Sequence, residues 1–204
     1  MNDYERLAAY GVATVYEGNG RRGLIDADLR CIVPERRAAG PARTVRCGQD
    51  DNLMVHAAIE RIRPGEILVV AMPEPSVTSL MGDLLVLQAK LRGVAALLLD
   101  GGVRDTDAIR AMDVPTWARH IRVRTAGKTI VGELDGPLEI GGATIRSGDA
   151  VVLDADGGVA VQAGALAATL ANCAERERSE VALRERLGRG ELTLDINGLR
   201  RLLD

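Results

Sequence analysis

Phenylalanine is absent from this 204-residue chain, and one Trp and three Tyr are the only other aromatics of that kind, so any core has to be aliphatic. Hydrophobic residues still make up 47% of the sequence, ample for one buried core at this length. The shortage of rings also removes the stacking platforms that single-stranded nucleic acids use. Lysine is almost as scarce. Of 26 basic residues only Lys90 and Lys128 are lysines and the rest are arginines, so Schiff-base chemistry has two candidates at most. A net charge of −3 with 27% charged residues gives neither a polyanion-binding surface nor a disordered composition. No nucleic-acid partner is expected.

Cysteine is limited to Cys31, Cys47 and Cys173, an odd number without CxxC spacing. That usage fits a reducing cytoplasm better than a disulfide scaffold or a zinc site. The opening MNDYERLAAYG has no apolar signal core, and no stretch approaches transmembrane length. A soluble, cytoplasmic chain with no membrane partner is expected. Phosphate loops are missing too: there is no GxxxxGK[ST], and neither Gly18-Asn19-Gly20 nor Gly101-Gly102 opens a GxGxxG helix. No GxSxG elbow is present. The Asp154–Gly158 stretch has a calcium-loop flavour without the rest of that motif, and reads as a hairpin turn.

What is present is order. Residues 3–20 carry helix-like apolar spacing, and strand signals follow at 29–33 and 42–46. A helix starts at Asp50-Asp51-Asn52 and stops at Pro64-Gly65, before a buried strand at 66–71. Residues 72–79 read as a loop, and a helix runs from Gly82-Asp83 to Arg92. A strand at 94–99 ends in an Asp100-Gly101-Gly102 turn, a second helix begins at Arg104-Asp105, and another strand spans 115–118. This alternation predicts parallel strands with helical crossovers. Beyond residue 128 the pattern is all-β, with hairpins about Gly141-Gly142 and residues 154–158, then a helix over 165–187 and a polar tail. No linker divides the chain, so residues 1–204 read as one α/β domain with a mixed sheet.

The candidate chemistry lies at the strand-to-helix junctions. Ligands of open α/β sheets collect at the carboxyl ends of strands, where helix N-termini offer unpaired N–H groups. A small carboxylate can bind the amides from Gly82 to Leu85, with Arg104 as a clamp and Asp105 as a hard oxygen ligand for Mg²⁺ or Mn²⁺. The same residues also read as helix caps and surface charges. His56 falls inside a helix facing core or interface, His120 in a loop after a strand, Lys90 in a helix and Lys128 in a polar loop.

The segment GDLLVLQAKLRGVAALLLDGGVRDTDAIRAMDVPTWAR resembles the signature region of the 4-hydroxy-4-methyl-2-oxoglutarate/4-carboxy-4-hydroxy-2-oxoadipate aldolases, members of the RraA-like superfamily named after a regulator of ribonuclease E. Those enzymes carry an Asp, twenty intervening residues and then Arg-Asp; here Asp83 is followed by residues 84–103 and by Arg104-Asp105. TVYEGNGRRGLID, AGPARTVRCGQDDNLMVHAA, SGDAVVLDADGGVAV and GELTLDI are similar to further family blocks.

The resemblance implies a layered α/β/β/α sandwich with a C-terminal helix and tail, residues 165–204, packing on a neighbouring subunit of a homotrimer or homohexamer. It implies a class II aldolase that releases pyruvate from a 4-hydroxy-2-oxo acid, with oxaloacetate decarboxylation as a side reaction. Asp105 would ligate Mg²⁺ or Mn²⁺ directly, and Asp83 would reach the metal through water. Arg104 would bind the pyruvyl part, and the amides of Leu84 and Leu85 beside Gly82 and Asp83 would receive the substrate carboxylate. Glu191 would arrive from the neighbouring subunit. Two departures stand out: Gly18-Asn19 replaces a helix-favouring pair, and MPEPSVTSLM replaces a more aromatic loop expected near the distal part of the substrate. A non-catalytic RraA-type protein-binding regulator, or a lyase for a different 2-oxo acid, are the competing readings.

Overall fold

The computed structural model describes residues 1–203. Helix α1 (Asp3–Gly18) is started by a capping box, in which Asn2 Oδ1 accepts the Glu5 N–H at 2.9 Å and Glu5 Oε2 accepts the Asn2 N–H at 2.8 Å. Short strands β1 (Leu24–Ile25) and β2 (Arg30–Cys31) precede the nine-residue β3 (Ala38–Arg46). The central unit then runs α2 (Leu53–Arg61), β4 (Ile67–Ala71), β5 (Ser79–Met81), α3 (Asp83–Leu91), β6 (Ala96–Val103), α4 (Thr106–Met112) and β7 (Thr116–Ile121). After it come β8 (Glu133–Leu134), the pair β9 (Leu138–Ile140) and β10 (Ala143–Ile145), and the pair β11 (Ala150–Asp154) and β12 (Gly157–Val161). Helices α5 (Leu166–Gly188) and α6 (Thr193–Ile196) close the described chain.

The main sheet has the order β1-β12-β11-β3-β4-β6-β7-β2, with β5 beside β6 and β8 beside β3. Strands β3, β4, β6 and β7 pair in parallel, as the alternating pattern predicts. One strand serves both halves. Residues Ala38–Pro41 of β3 pair antiparallel with β11, whereas Ala42–Arg46 pair in parallel with β4.

Alternation along the strands sorts side chains into three aliphatic layers. Leu68, Val70, Leu97 and Leu99 face Val55, Ile59, Val86 and Ile109 of α2, α3 and α4. The opposite faces, Ile67, Val69, Ala96 and Leu98, meet Leu138, Ile140, Ile145, Val151 and Leu153 with the fully buried Trp117. Val152, Val159 and Val161 then pack on Leu7, Val12 and Val15 of α1 and Leu170 and Cys173 of α5. Helix, sheet, sheet, helix is thus the order of layers, the sandwich that the family resemblance implies. No described helix is long and apolar enough to cross a membrane.

Four local expectations change. Asp100-Gly101-Gly102 is not a turn but the continuation of β6, and residues 79–81 form a strand beside it. Glycine allows this: a Cβ on Gly102 would lie 2.7 Å from Thr78 O, the carbonyl that accepts the Gly102 N–H at 2.9 Å. His120 consequently belongs to β7 rather than to a loop. Of the two settings expected for His56, core or interface, its exposure on α2 excludes the core. Helix α1 breaks at Gly11, whose φ of 80° suits a residue without a side chain.

The break in α1 is stabilised by one buried carboxylate. Asp154 Oδ2 accepts the Val12 N–H at 2.8 Å and Oδ1 accepts the Asp156 N–H at 2.9 Å, while its main-chain carbonyl accepts the Trp117 indole N–H at 2.8 Å. Asp154→Ala leaves the Val12 amide without a partner inside the protein. We expect a loss of about 1–3 kcal/mol in urea unfolding, and a change below 0.5 kcal/mol would show that the carboxylate is not what secures the kink.

Candidate functional site

The pairing of β5 with β6 sets the site. It carries Gly82, the N-cap of α3, beside Asp105, the N-cap of α4. Asp105 adopts the left-handed conformation (φ 59°, ψ 38°), tolerated by Asp better than by most residues. Its side chain makes no cap bond to α4. It turns instead toward α3, where Oδ2 lies 3.3 Å from the Asp83 amide nitrogen and 3.4 Å from Arg104 Nε. A Cβ on Gly82 would stand 2.5 Å from that same oxygen and 3.0 Å from Arg104 Nε, so only glycine admits this arrangement without displacement. Asp83, Arg104 and Asp105 are therefore brought together around Gly82, as the sequence reading expects.

Arg104 is held from two further directions. Its main-chain N–H donates to Met81 O at 3.1 Å, and Nη1 donates to Thr125 Oγ1 at 3.1 Å. Asp83 Oδ1 accepts the Leu84 N–H at 2.8 Å, so that amide is already engaged, and a substrate carboxylate arriving there has to share or displace it. Gly82, Asp83, Leu84, Leu85 and Arg104 all line a cavity of 350 Å³. Of the MPEPSVTSLM stretch, Ser79 and Met81 reach it; Ser76 and Thr78 instead bond Asp50, at 2.5 and 2.6 Å.

The remaining lining includes residues to which the sequence reading gave no ligand role: Asn52, His56, Gln88, Thr125 and Lys128. A buried carboxylate organises this side. Asp51 is 1% exposed; its Oδ1 accepts the Leu53 N–H at 2.8 Å, and its Oδ2 those of Thr129 and Ile130 at 2.7 and 3.1 Å. Burial pushes its carboxyl group up, but the amides of Thr129, Leu53 and Ile130 outweigh that and leave it below its ordinary value. Asn52 N–H donates to Gly127 O and Gly127 N–H to Asp50 O, both at 2.9 Å, lacing two irregular segments together. Asn52 Nδ2 donates to Leu80 O at 2.9 Å, which orients the amide and leaves Oδ1 buried with no hydrogen-bond partner. Such an orphaned acceptor costs about 1–3 kcal/mol. The only advance signal was the rarity of lysine.

Glu191 lies outside the cavity of its own chain, after α5. Its carboxylate pairs with Arg186 at 2.7 Å and Arg189 at 3.3 Å, and the Arg186 hydrogen bond in particular holds it below the ordinary carboxylate range. Among the described residues no cluster of three His, Cys, Asp or Glu side chains is placed to hold a metal. The donors at hand are hard carboxylate oxygens, with Asp105 side chain 40% exposed and engaged only by the two long contacts above. This set fits Mg²⁺ or Mn²⁺, which keep several waters, better than zinc with its nitrogen and sulfur ligands. Asp105 would hold such an ion, with Asp83 beside it.

The chain belongs to the RraA-like (Aldolase/RraA) family, whose model matches residues 12–160. A protein of Halalkalibacterium halodurans, provisionally named a 4-hydroxy-4-methyl-2-oxoglutarate aldolase, is 34% identical over 128 residues, 63% of this chain. The match spans 61% of that relative's length. Two solved structures share the fold. One is Streptomyces coelicolor RraAS2, described as an unusual member of the RNase ES inhibitor RraA family, at 26% identity and TM-score 0.76 over 90% of this chain and 96% of that one. The other is the RNA-processing inhibitor RraA from Thermus thermophilis, at 28% identity and TM-score 0.63 over 69% and 84%.

Two substitutions probe this geometry. Gly82→Ala should keep the unfolding midpoint nearly unchanged but weaken Mn²⁺ binding by at least about tenfold, since displacing one ligand costs on the order of 1.4 kcal/mol per decade; unchanged Mn²⁺ affinity would mean that the site tolerates the Cβ. Asp51→Asn tests the buried carboxylate. Because its folded pKa is lowered, the stability it contributes is fully present above the unfolded value of about 3.9 and is lost as pH falls through the folded value. Wild type should exceed the variant in urea midpoint at pH 7, and the gap should shrink at pH 3. A gap that does not change with pH contradicts the assignment.

Proposed function

We propose that the protein is a divalent-metal-dependent aldolase that releases pyruvate from a 4-hydroxy-2-oxo di- or tricarboxylic acid, such as 4-hydroxy-4-methyl-2-oxoglutarate or 4-carboxy-4-hydroxy-2-oxoadipate. The observation that carries this reading is the convergence of Asp83, Arg104 and Asp105 on Gly82, with Asp83 and Arg104 lining one cavity and Asp105 set behind Gly82. Family membership and the name of the Halalkalibacterium relative support it.

Asp105 would hold Mg²⁺ or Mn²⁺, which would supply Lewis acidity to the 2-oxo acid end of the substrate. The electropositive start of α3, at Leu84 and Leu85, attracts the substrate carboxylate. Arg104, held by Thr125, orients the pyruvyl unit and stabilises the negative charge that develops on its keto oxygen. Asp83 holds the water through which the C4 hydroxyl proton leaves. As that proton departs, a carbonyl forms at C4, the C3–C4 bond breaks and its electron pair enters the pyruvate enolate. Protonation at C3 completes pyruvate. The same enolate arises when oxaloacetate loses CO₂, so slow decarboxylation is part of the proposal.

The working unit in this reading is a cytoplasmic homotrimer or homohexamer. Glu191 on the tail beyond α5 is the residue that a neighbouring subunit would bring toward the metal, which requires it to exchange Arg186 and Arg189 for the site.

The test is pyruvate release from the two 4-hydroxy acids and oxaloacetate with Mg²⁺ or Mn²⁺, and again with EDTA. Activity should be lost with chelation and restored by metal. Asp105→Ala should lower kcat/KM by at least about 100-fold, and Arg104→Ala should raise KM and lower kcat together, in the range usual for lost charge stabilisation. Full activity in Asp105→Ala would place the metal elsewhere. The likeness to the two RraA inhibitors favours a second reading, a protein-binding regulator without turnover. No metal-dependent release from any of the three acids would select that one.

A further inference from the structure

Lysine is rare here, and its two occurrences differ in kind. Lys90 is committed: its Nζ donates to Met112 O at 2.6 Å, tying α3 to the end of α4. Lys128 is exposed, lines the cavity, and enters none of the ion pairs formed among the described residues. Its position is not left to a floppy loop. Asp51 grips the backbone on its carboxyl side through Thr129 and Ile130, and Gly127 on its amino side is laced to Asp50 and Asn52. Asn52 and Lys128 thus reach the cavity as one rigid unit, with His56 one turn further along α2.

Charge indicates what this unit meets. Asp83 is the one carboxylate lining the cavity, against Arg104 and Lys128 as cations, and Asp105 stands directly behind Gly82. In the aldolase reading the two aspartates serve a divalent ion, while Arg104 and the start of α3 take the pyruvyl end. Lys128 favours the ionised Asp51 through its charge but forms no ion pair with it, so its ammonium group is open to a second anion.

We propose that Lys128 is the specificity-determining residue for the far end of the substrate, where it binds a carboxylate attached to the hydroxyl-bearing carbon. This rests on the aldolase reading above and adds to it the receptor for the half of the substrate that is not pyruvate. Cleavage of an acid with hydroxyl and carboxylate on one carbon leaves a second 2-oxo acid besides pyruvate. A neutral far end would give Lys128 no partner on the substrate.

The experiment uses two uncleavable acids that lack the hydroxyl and so isolate Lys128. In 2-oxoglutarate a carboxylate sits on C4; in 2-oxovalerate a methyl group takes its place. Binding of each is measured by calorimetry in Mg²⁺ with wild type, Lys128→Met and Lys128→Arg. Wild type should prefer 2-oxoglutarate by about tenfold or more, the range for a charge-assisted pair. Lys128→Met should remove that preference while moving 2-oxovalerate less than about twofold, and Lys128→Arg should restore part of it. An unchanged preference in Lys128→Met overturns the proposal, as does equal weakening of both acids. A reduced pyruvate adduct on Lys128 after borohydride treatment also overturns it, since that would make the lysine a covalent catalyst. Wild type that prefers 2-oxoglutarate through Lys128 yet cleaves no substrate removes the aldolase reading and leaves the subsite standing.

Discussion

The backbone at Gly82 passes so close to Asp105 that a single methyl group there would collide with the Oδ2 oxygen at 2.5 Å. That approach exists because β5 runs beside the far end of β6, and β6 can accept it only because Gly102 has no side chain where Thr78 O comes down. Two glycines, neither with a left-handed φ, therefore bring two helix starts into contact. Once α3 and α4 begin side by side, Asp83 and Asp105 share one neighbourhood, and Arg104 between them is pulled across to Thr125. The arrangement depends on excluded volume before it depends on charge.

Buried carboxylates do the second part of the work, as binders of the chain's own amides. Asp154 secures the broken α1 to the end of β11, and Asp51 secures the irregular segment that carries Lys128. In both cases a charged acceptor satisfies N–H groups that no helix or strand supplies with a partner. Loops so restrained can line a site with the definition usually reserved for regular elements. On the same wall Asn52 Oδ1 is buried without a hydrogen-bond partner. Lys128 on this wall is the cation we propose for the part of a substrate that Arg104 does not hold.

Much of the scaffold was legible from spacing. The runs that became β4 and β6 are continuously apolar because parallel strands are covered on both faces, and the hairpins about residues 141–142 and 155–156 followed from their turn residues. The misplaced Asp100-Gly101-Gly102 turn has a definite cause. A Gly-Gly pair after an apolar strand usually breaks it, whereas here the glycines admit a neighbouring backbone and the strand goes on. Residues 79–81 were passed over for the same reason, as three residues carry too little periodicity to announce a strand. The kink at Gly11 was equally silent, because its partner Asp154 lies 142 positions away.

For the site, the twenty-residue interval between Asp83 and Arg104-Asp105 was written in the sequence, since one helix and one strand of set length bring the chain back to the same end of the sheet. The element order and the spacing of this trio follow from such local, linear information, whereas family and layer order came from the resemblance of its motifs. The neighbours of the trio do not. Thr125, Asn52 and Lys128 come from segments with no regular structure, and their convergence is decided by long-range hydrogen bonds to Asp51, Arg104 and Leu80. A linear pattern records periodicity along one element, whereas which loops meet over a cavity is settled only when every layer is packed.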